Sequence, residues 1–220
     1  AANNLQLPLQ RIASLGEMLA EEHAADLSGV ERDQLRTLGA EARDMSELAK
    51  GIADYTRVDE RPPMQSIDLE ELLDKVRNDL AARIEASGAV VRVQGSGRVS
   101  GDEKQVRQLL WNLLDNALKF HDPERPPEVT ITIDTEQSET DEGPERLLVR
   151  VRDNGIGIPE DQLDAVFEAF RRLHPREAFP GMGLGLSFCR KIADSLGGEI
   201  GVTSRLGEGS EFRVTLPRAH

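Results

Sequence analysis

Apolar residues recur at steps of three and four near the start of the chain, which is the pattern of an amphipathic helix. The pattern appears twice, from Leu5 to about residue 25 and from about Ser28 to Val58, with Ser28 and Gly29 at the join. We therefore predict two antiparallel helices connected by a short turn. Two helices cannot cover their own apolar stripes, so we expect the hairpin to form a four-helix bundle with a second copy of the chain. The alternative is a hairpin packed against the rest of its own chain.

Two prolines, Pro62 and Pro63, mark the end of the second helix, because proline lacks a backbone N–H and disfavours helical geometry in the residue before it. We place a domain boundary there, between a helical segment at 1–60 and a second domain at 61–220. In the second domain we predict helices at about 69–87, 103–120, 161–170 and 185–196, and strands at about 89–94, 128–135, 146–153, 199–204 and 210–216. This mixture predicts an α+β fold, an α/β sandwich with helices on one face. The polar stretch 137–144 is predicted to be a solvated hairpin loop.

Net charge, the length of the apolar runs and the cysteine count exclude some classes of partner and setting. The 220 residues carry a net charge of −13, which repels phosphate backbones and argues against nucleic acid as the main partner. No apolar run approaches the roughly 20 residues that a membrane-spanning helix needs, so we expect no membrane segment in this chain. The one cysteine, Cys189, has no second cysteine to pair with, and a reducing, cytoplasmic compartment is the simple interpretation.

The predicted helix 103–120 carries a polar ridge beside its apolar side. Gln108, Asn112, Asn116 and Lys119 follow one another at steps of four, four and three. Asparagine is a mediocre helix former, so two of them one turn apart contribute nothing to the helix itself. The ridge is either a solvated polar face or a ligand site. In the second case an amide oxygen would bind Mg²⁺, which prefers oxygen donors and substrate phosphates, and Lys119 would attract the phosphates.

A second motif, DNGIGIP, begins at Asp153 directly after a predicted strand. An aspartate at the end of a strand can accept a hydrogen bond from an exocyclic amine such as that of adenine, and Gly155 and Gly157 let the backbone approach a flat base. The same residues are also a strong turn signal, so a plain turn is the alternative.

A third motif, GMGLGLS, places Gly181, Gly183 and Gly185 at the start of a predicted helix. Glycines there leave backbone N–H groups free to surround phosphate oxygens, helped by the helix dipole. The spacing differs from the dinucleotide fingerprint and from the P-loop, so neither of those nucleotide folds applies.

The segment between Phe170 and Gly181 has no periodicity and is rich in basic groups, among them Arg172, His174 and Arg176. We interpret it as a mobile lid over a bound nucleotide. For His174 the alternative is an ordinary surface histidine.

Taken in order, the segments NLLDNALKF, DNGIGI, FEAFRRL, GMGLGLS and GEGS resemble the N, G1, F, G2 and G3 boxes of the histidine kinase catalytic domain. The last of them, on its own, is most simply a hairpin turn. The resemblance implies a Bergerat-type α/β sandwich that binds ATP and Mg²⁺. It implies Asn116 as the Mg²⁺ ligand, Asp153 as the reader of the adenine amine and Lys119 as a phosphate contact. The rest of the implied ATP-binding set is Asn112, Gly155, Gly157, Ile158, Arg172, His174, Arg176, Gly181, Gly183, Leu184, Gly185 and Leu186.

The lid sequence and the start of the chain look most like phytochrome-type and related PAS-linked kinases, where LQEPLRRI corresponds to LQLPLQRI here. In that family the phosphoacceptor histidine precedes the proline by five residues and an acidic residue follows it. Counting back from Pro8 gives Asn3 and then Asn4. An amide is not nucleophilic like a neutral imidazole and cannot take a proton like a carboxylate, so we expect autophosphorylation at Asn3 to be lost.

Three functions stay open at this point. The first is a histidine kinase core in two-component signalling, with a response regulator or a partner kinase as its partner and its own acceptor replaced. The second is a pseudokinase-like module that binds ATP and signals by conformation. The third is an ATP-driven clamp akin to mismatch-repair or topoisomerase ATPases. The helical hairpin argues against a clamp, as does Asn112 at a position where those hydrolases place a glutamate base.

Overall fold

The computed structural model describes residues 3–23, 27–57, 64–136, 145–175, 178–179 and 181–219. The chain forms two compact units, Ala1–Asp59 and Glu60–His220. The predicted boundary prolines and the predicted loop 137–144 lie outside the described residues. The predicted α+β fold is confirmed, with helices first and a mixed sheet with helices after them.

The first unit consists of two helices, α1 (Asn3–Glu22) and α2 (Gly29–Arg57). A capping box begins α2: the backbone N–H of Ser28 donates to Glu31 Oε2 at 2.8 Å, and the N–H of Glu31 donates to Ser28 Oγ at 3.3 Å. These two bonds satisfy N–H groups at the helix start that have no partner within the helix.

The two helices pack through small residues. A Cβ on Gly16 would lie 3.0 Å from the carbonyl oxygen of Leu35, and one on Gly39 would lie 3.3 Å from that of Ala13. Close backbone approach leaves larger side chains outside the contact between the helices. The large apolar side chains that stay exposed are Leu7, Ile12, Leu15, Met18 and Leu19 on α1, and Val30, Leu38, Met45 and Ile52 on α2.

The second unit is built on a five-stranded sheet. Its strands are β2 (Val90–Gln94), β4 (Glu128–Glu136), β5 (Arg146–Asp153), β6 (Ile200–Arg205) and β7 (Gly209–Pro217). Their order is β2-β4-β5-β7-β6, with β2 parallel to β4 and every other pair antiparallel. Buried residues alternate with less buried ones along β4 and β5, so one face of the sheet supports the core and the other faces outward.

The helices of this unit are α3 (Leu69–Asp79), α4 (Ala81–Ser87), α5 (Glu103–Lys119) and α6 (Gly185–Ser195). Asp102 caps α5 by accepting the N–H of Gln105 at 2.9 Å. Cys189 on α6 is a core residue, and burial raises the pKa of its thiol to about 12. In the described ranges, no helix combines the length and the apolar character needed to cross a bilayer.

Three local features differ from the sequence-based expectations. The predicted helix 69–87 is interrupted at Leu80, whose φ of −97° and ψ of 7° leave the helical region while its side chain stays buried. The apolar spacing runs on through the break, so periodicity alone does not show it. Two four-residue strands, β1 (Gln65–Asp68) and β3 (Arg98–Gly101), pair with each other and are too short to show alternation. The predicted helix 161–170 is two 3₁₀ turns, Glu160–Gln162 and Ala165–Phe167.

Candidate functional site

Asn112 lies on the polar ridge of α5 and is buried, with 6% of its surface exposed. Its Oδ1 accepts from Gln108 Nε2 at 3.1 Å, and its Nδ2 donates to the carbonyl oxygen of Gly185 at 3.2 Å. Both ends of the amide are therefore engaged within the protein. Asn112 joins the ridge of α5 to the first residue of α6.

Asn116 and Lys119, one and two turns further along α5, are half-buried and differ from Asn112 in their partners. Within the part of the chain that the structure describes, the Asn116 side chain makes no hydrogen bond, so its oxygen is available to a ligand. The ammonium of Lys119 lies over the Phe120 ring, 4.6 Å from the centroid. A Cβ on Gly181 would be 2.9 Å from Lys119 Nζ, so this ammonium reaches the beginning of the third motif.

Asp115 lies on the same side of α5, three residues after Asn112 and four before Lys119, and the sequence pattern alone does not mark it as a site residue. Its carboxylate forms an ion pair with Arg83 of α4. Burial raises the pKa of Asp115, against the opposing effects of Arg83 and Lys119. Burial lowers the pKa of Lys119, and Asp115 opposes that change while Arg172 and Arg83 add to it. Lys119 thus interacts with one carboxylate and two other cations, which is a local excess of positive charge in an acidic protein.

Asp153 ends β5, and its carboxyl group is held by two loops. Oδ1 accepts the backbone N–H of Gly155 at 2.8 Å and that of Ser210 at 3.2 Å. Oδ2 makes no hydrogen bond with any described residue and is free to accept one from a ligand. Burial raises the pKa of Asp153, while the N–H groups of Gly155 and Ser210 and the charge of Arg125 act in the opposite direction.

The second motif packs closely against the end of β6 and the GEGS segment that follows it. Gly157 has a φ of +72°, and a Cβ there would overlap the carbonyl oxygen of Arg205. Gly209 has a φ of +105°, and a Cβ there would overlap the carbonyl oxygen of Asp153. The N–H of Ile158 donates to Ser204 Oγ at 2.8 Å. The turn therefore does more than connect two strands, because it shapes the surroundings of Asp153.

The third motif adjoins the polar ridge of α5. Gly183 has a φ of +72°, in the left-handed region that glycine tolerates, and packs against the backbone of Arg171. Leu184 is buried and precedes α6 without any side-chain cap, while Gly185 and Leu186 form the first turn of the helix. The N–H groups at this helix start are therefore not covered by a capping side chain, which suits an anion.

The predicted lid folds over the end of α5. Arg172 donates from Nη2 to the carbonyl oxygen of Phe179 at 2.9 Å and from Nη1 to that of Gly181. The rings of Phe120, His174 and Phe179 form a cluster, with Phe120 and Phe179 centroids 4.9 Å apart and His174 and Phe179 centroids 5.2 Å apart. Arg176, which was predicted to belong to the lid, lies outside the described residues.

The three motifs meet around the second half of α5. Asn112 contacts Gly185, Lys119 adjoins Gly181, and the carbonyl oxygen of Phe120 accepts the N–H of Ile156 at 3.0 Å. Among the described residues there is no cluster of three or more histidine, cysteine, aspartate or glutamate side chains that could hold a metal ion. A Mg²⁺ ion here would therefore rely on an amide oxygen together with ligand phosphates and water, a set that this ion accepts.

Comparison with known proteins connects this arrangement to a family. The model described as histidine kinase-, DNA gyrase B-, and HSP90-like ATPase matches residues 101–220. The chain is 35% identical over 219 residues to Cyanobacterial phytochrome A of Nostoc sp., a match that covers 99% of this chain and 28% of that protein. It is 32% identical over 220 residues to the sensor histidine kinase AruS of Pseudomonas aeruginosa, covering 96% of this chain and 21% of that protein. The chain thus spans less than a third of the length of either relative.

Solved histidine kinase structures have a similar fold. Full-length ShkA in complex with AMPPNP matches with a TM-score of 0.72 at 25% identity, over 99% of this chain and 44% of that chain. The catalytic domain of histidine kinase ThkA matches with a TM-score of 0.58 at 28% identity, over 70% of this chain and 95% of that chain.

Proposed function

The chain belongs to the histidine kinase-, DNA gyrase B- and HSP90-like ATPase family, and we propose that it is the ATP-binding core of a sensor histidine kinase in two-component signal transduction. Its partners would be a second copy of the chain and a response regulator or a partner kinase. Its setting would be the cytoplasm, where ATP and a reduced Cys189 are both expected.

In this proposal the three motifs of the Bergerat-type site bind three parts of ATP·Mg²⁺. Asp153 Oδ2 accepts a hydrogen bond from the exocyclic amine of adenine, next to the turns at Gly155 and Gly157 and next to Ile158. Asn116 supplies an oxygen to Mg²⁺, and Lys119 contacts the phosphates. The N–H groups from Gly181 to Leu186 surround the phosphate oxygens, and Arg172, His174 and Arg176 cover them.

The observation that carries the proposal is which polar side chains of the site already have hydrogen-bond partners within the protein and which do not. Both ends of the Asn112 amide form hydrogen bonds within the protein, one of which connects α5 to α6. The amide of Asn116 and the Oδ2 of Asp153 have no hydrogen-bond partner among the described residues. Unpaired polar groups beside an uncapped helix start are what a polar, anionic ligand would satisfy.

Isothermal titration calorimetry with a nonhydrolysable ATP analogue and Mg²⁺ tests the proposal. We expect a dissociation constant on the order of micromolar to millimolar. Asp153→Asn keeps an oxygen for the two N–H groups but turns the free acceptor into a donor, so it should weaken binding about tenfold or more. Arg92→Met, which breaks an exposed ion pair with Glu128 on the edge of the sheet, is the matched control. Absence of any heat with the parent chain would reject the assignment.

The hairpin is proposed to be the dimerisation segment. Small residues join α1 to α2, and each helix exposes large apolar side chains such as Leu15 and Met45, 51% and 56% exposed. An apolar surface of this kind in a charged helix is favourable only when it is covered, and a second hairpin provides a self-complementary cover. The expected assembly is a four-helix bundle.

Autophosphorylation is proposed to be lost because Asn3 and Asn4 occupy the acceptor and acidic positions of the resemblance. The side chains of both residues lie outside the described ones. Incubation with γ-labelled ATP should leave the chain unlabelled, and Asn3→His should restore acid-labile label if the rest of the machinery is intact. Label on the unmodified chain would contradict the loss.

A second candidate function is favoured by the same two asparagines. The chain would bind ATP and signal through conformation or partner contacts, without phosphoryl transfer. Failure of Asn3→His to take up label, in a chain that still binds ATP, would favour this second function over a kinase that has lost only its own acceptor.

A further inference from the structure

Two backbone loops converge on one carboxylate oxygen, Oδ1 of Asp153. The first loop follows β5 and contributes the N–H of Gly155 at 2.8 Å. The second is the turn between β6 and β7 together with the first residues of β7, among them Ser210, whose N–H donates to Oδ1 at 3.2 Å. The direction of Oδ2 is therefore set by how these two loops are held relative to each other.

Arg125, in the connection between α5 and β4, contacts both loops as well. Its Nη2 donates to the carbonyl oxygen of Gly155 at 3.0 Å and to that of Gly207 at 2.8 Å. The loops also bind each other directly, since the N–H of Gly207 donates to the carbonyl oxygen of Ile156 at 2.8 Å. One guanidinium nitrogen thus bridges the same two loops that Asp153 bridges by its carboxylate.

The Arg125 side chain is partly buried and does not simply extend into solvent. About two thirds of its side chain is covered, with 37% left exposed, and its Nε is buried without a hydrogen-bond partner among the described residues. Its charged neighbours are Asp122, whose Oδ2 lies 3.6 Å from Nε, and Asp153, whose pKa its charge lowers. A planar, rigid fork of donors suits two carbonyl oxygens on separate loops better than a flexible ammonium does.

We propose that Arg125 is a positioning residue for recognition of the nucleobase: by bridging the loops at Gly155 and Gly207, it aims the free oxygen of Asp153 at the exocyclic amine of adenine. This inference rests on the proposed ATP-binding function and deepens it. Arg125 does not touch the nucleotide. It acts through Asp153, and its effect is confined to ligands that carry the amine.

The experiment compares two nucleotides that differ in that amine alone. ATP and purine riboside triphosphate, which has hydrogen in place of the 6-amino group, are titrated with Mg²⁺ into the parent chain, Arg125→Met, Arg125→Lys and the control Arg92→Met. The parent and the control should prefer ATP. In Arg125→Met the affinity for ATP should fall about tenfold while that for the purine analogue changes less than about twofold, so that the preference disappears.

A double-mutant cycle with Asp153→Asn distinguishes positioning from general support of the fold. That substitution keeps the acceptor for Gly155 and Ser210 and removes the acceptor for the amine. On this background Arg125→Met should change the preference between the two nucleotides no further. Arg125→Lys should retain part of the ATP preference, because it keeps the charge and a donor, and thermal unfolding checks that each variant is folded.

The outcomes separate the inference from the proposed function. If the parent binds neither nucleotide, the proposed function fails and the inference falls with it. If the parent prefers ATP and folded Arg125→Met keeps that preference, or loses affinity equally for both nucleotides, the positioning role is wrong while ATP binding stands. Should the methionine variant not fold, the same comparison is decided by Arg125→Lys, whose preference for ATP must then be measurably smaller than that of the parent.

Discussion

The side-chain nitrogen of Asn112 donates a hydrogen bond of 3.2 Å to the backbone carbonyl oxygen of Gly185, 73 residues later in the chain. This bond joins the amide ridge to the helix start of the glycine motif. Because the Asn112 oxygen is also engaged, by Gln108, this asparagine supports the site rather than offering ligand atoms. The two asparagines of the ridge therefore have different functions despite their regular spacing.

Asn112→Ala is expected to lower the free energy of unfolding. The substitution removes a buried amide together with its hydrogen bonds to Gly185 and Gln108, which costs about 1–3 kcal/mol. Urea unfolding followed by circular dichroism measures the change. A variant as stable as the parent would show that the bond does not hold the two helices together.

Asn116→Ala is expected to weaken ATP binding while leaving the free energy of unfolding almost unchanged. Its side chain makes no hydrogen bond among the described residues, so unfolding should change by less than about 0.5 kcal/mol. Binding of ATP with Mg²⁺ should weaken about tenfold or more, and binding of ATP with EDTA should change much less, since the lost group is a metal ligand. Calorimetry with and without Mg²⁺ checks this, and equal weakening under both conditions would argue against the metal role.

The ridge also shows how far the sequence alone leads. Its spacing, the strand-end aspartate and the glycine-rich helix start are visible as patterns and carry the family resemblance, whereas the mixture of helix and strand patterns predicts the α+β fold. Both predictions are confirmed. The sequence alone does not predict that Asn112 supports the fold while Asn116 is left for a ligand, because this difference depends on α6, which is distant in sequence. The same holds for Arg125 and for Asp115, whose partners come from other segments. Long-range contacts of this kind have no local signature.

Gly209→Ala is expected to destabilise the second unit by about 2 kcal/mol or more, because it combines an unfavourable backbone angle with overlap against the carbonyl oxygen of Asp153. Two other glycines separate these causes. Gly207 has a φ of +79° but open space around it, so its alanine variant should lose only about 1 kcal/mol. Gly201 has open space and an ordinary backbone, and alanine there should be within about 0.5 kcal/mol of the parent. Equal midpoints for all three variants in urea would contradict the close approach at Gly209.

Asp153 is expected to make stability depend on pH in a defined direction. Burial raises its pKa above the ordinary value of 3.8, so the folded chain binds this proton more tightly than the unfolded chain. As pH rises from 3.8 through the raised pKa, the folded state loses this advantage. The unfolding free energy of the parent minus that of Asp153→Asn should therefore fall with rising pH across this window and level off above it. Denaturant unfolding at a series of pH values checks the sign, and a difference that grows with pH would show that the carboxylate is stabilised rather than penalised by its surroundings.

Leu15→Glu is expected to weaken the proposed dimer by placing a charge on the exposed apolar surface of α1. Leu15 is 51% exposed in the single chain, so the substitution removes little packing within the hairpin, but burying a carboxylate in a bundle interface is strongly unfavourable. We expect at least about a tenfold rise in the dimer dissociation constant, which corresponds to about 1.4 kcal/mol. Ala40→Glu is the matched control, because Ala40 is exposed on α2 and lies outside the face that carries its large apolar residues. Sedimentation equilibrium measures both variants at several concentrations. A parent chain that is monomeric at all of them, or an Ala40→Glu variant that dissociates as readily as Leu15→Glu, would show that the apolar surface is not a dimer interface.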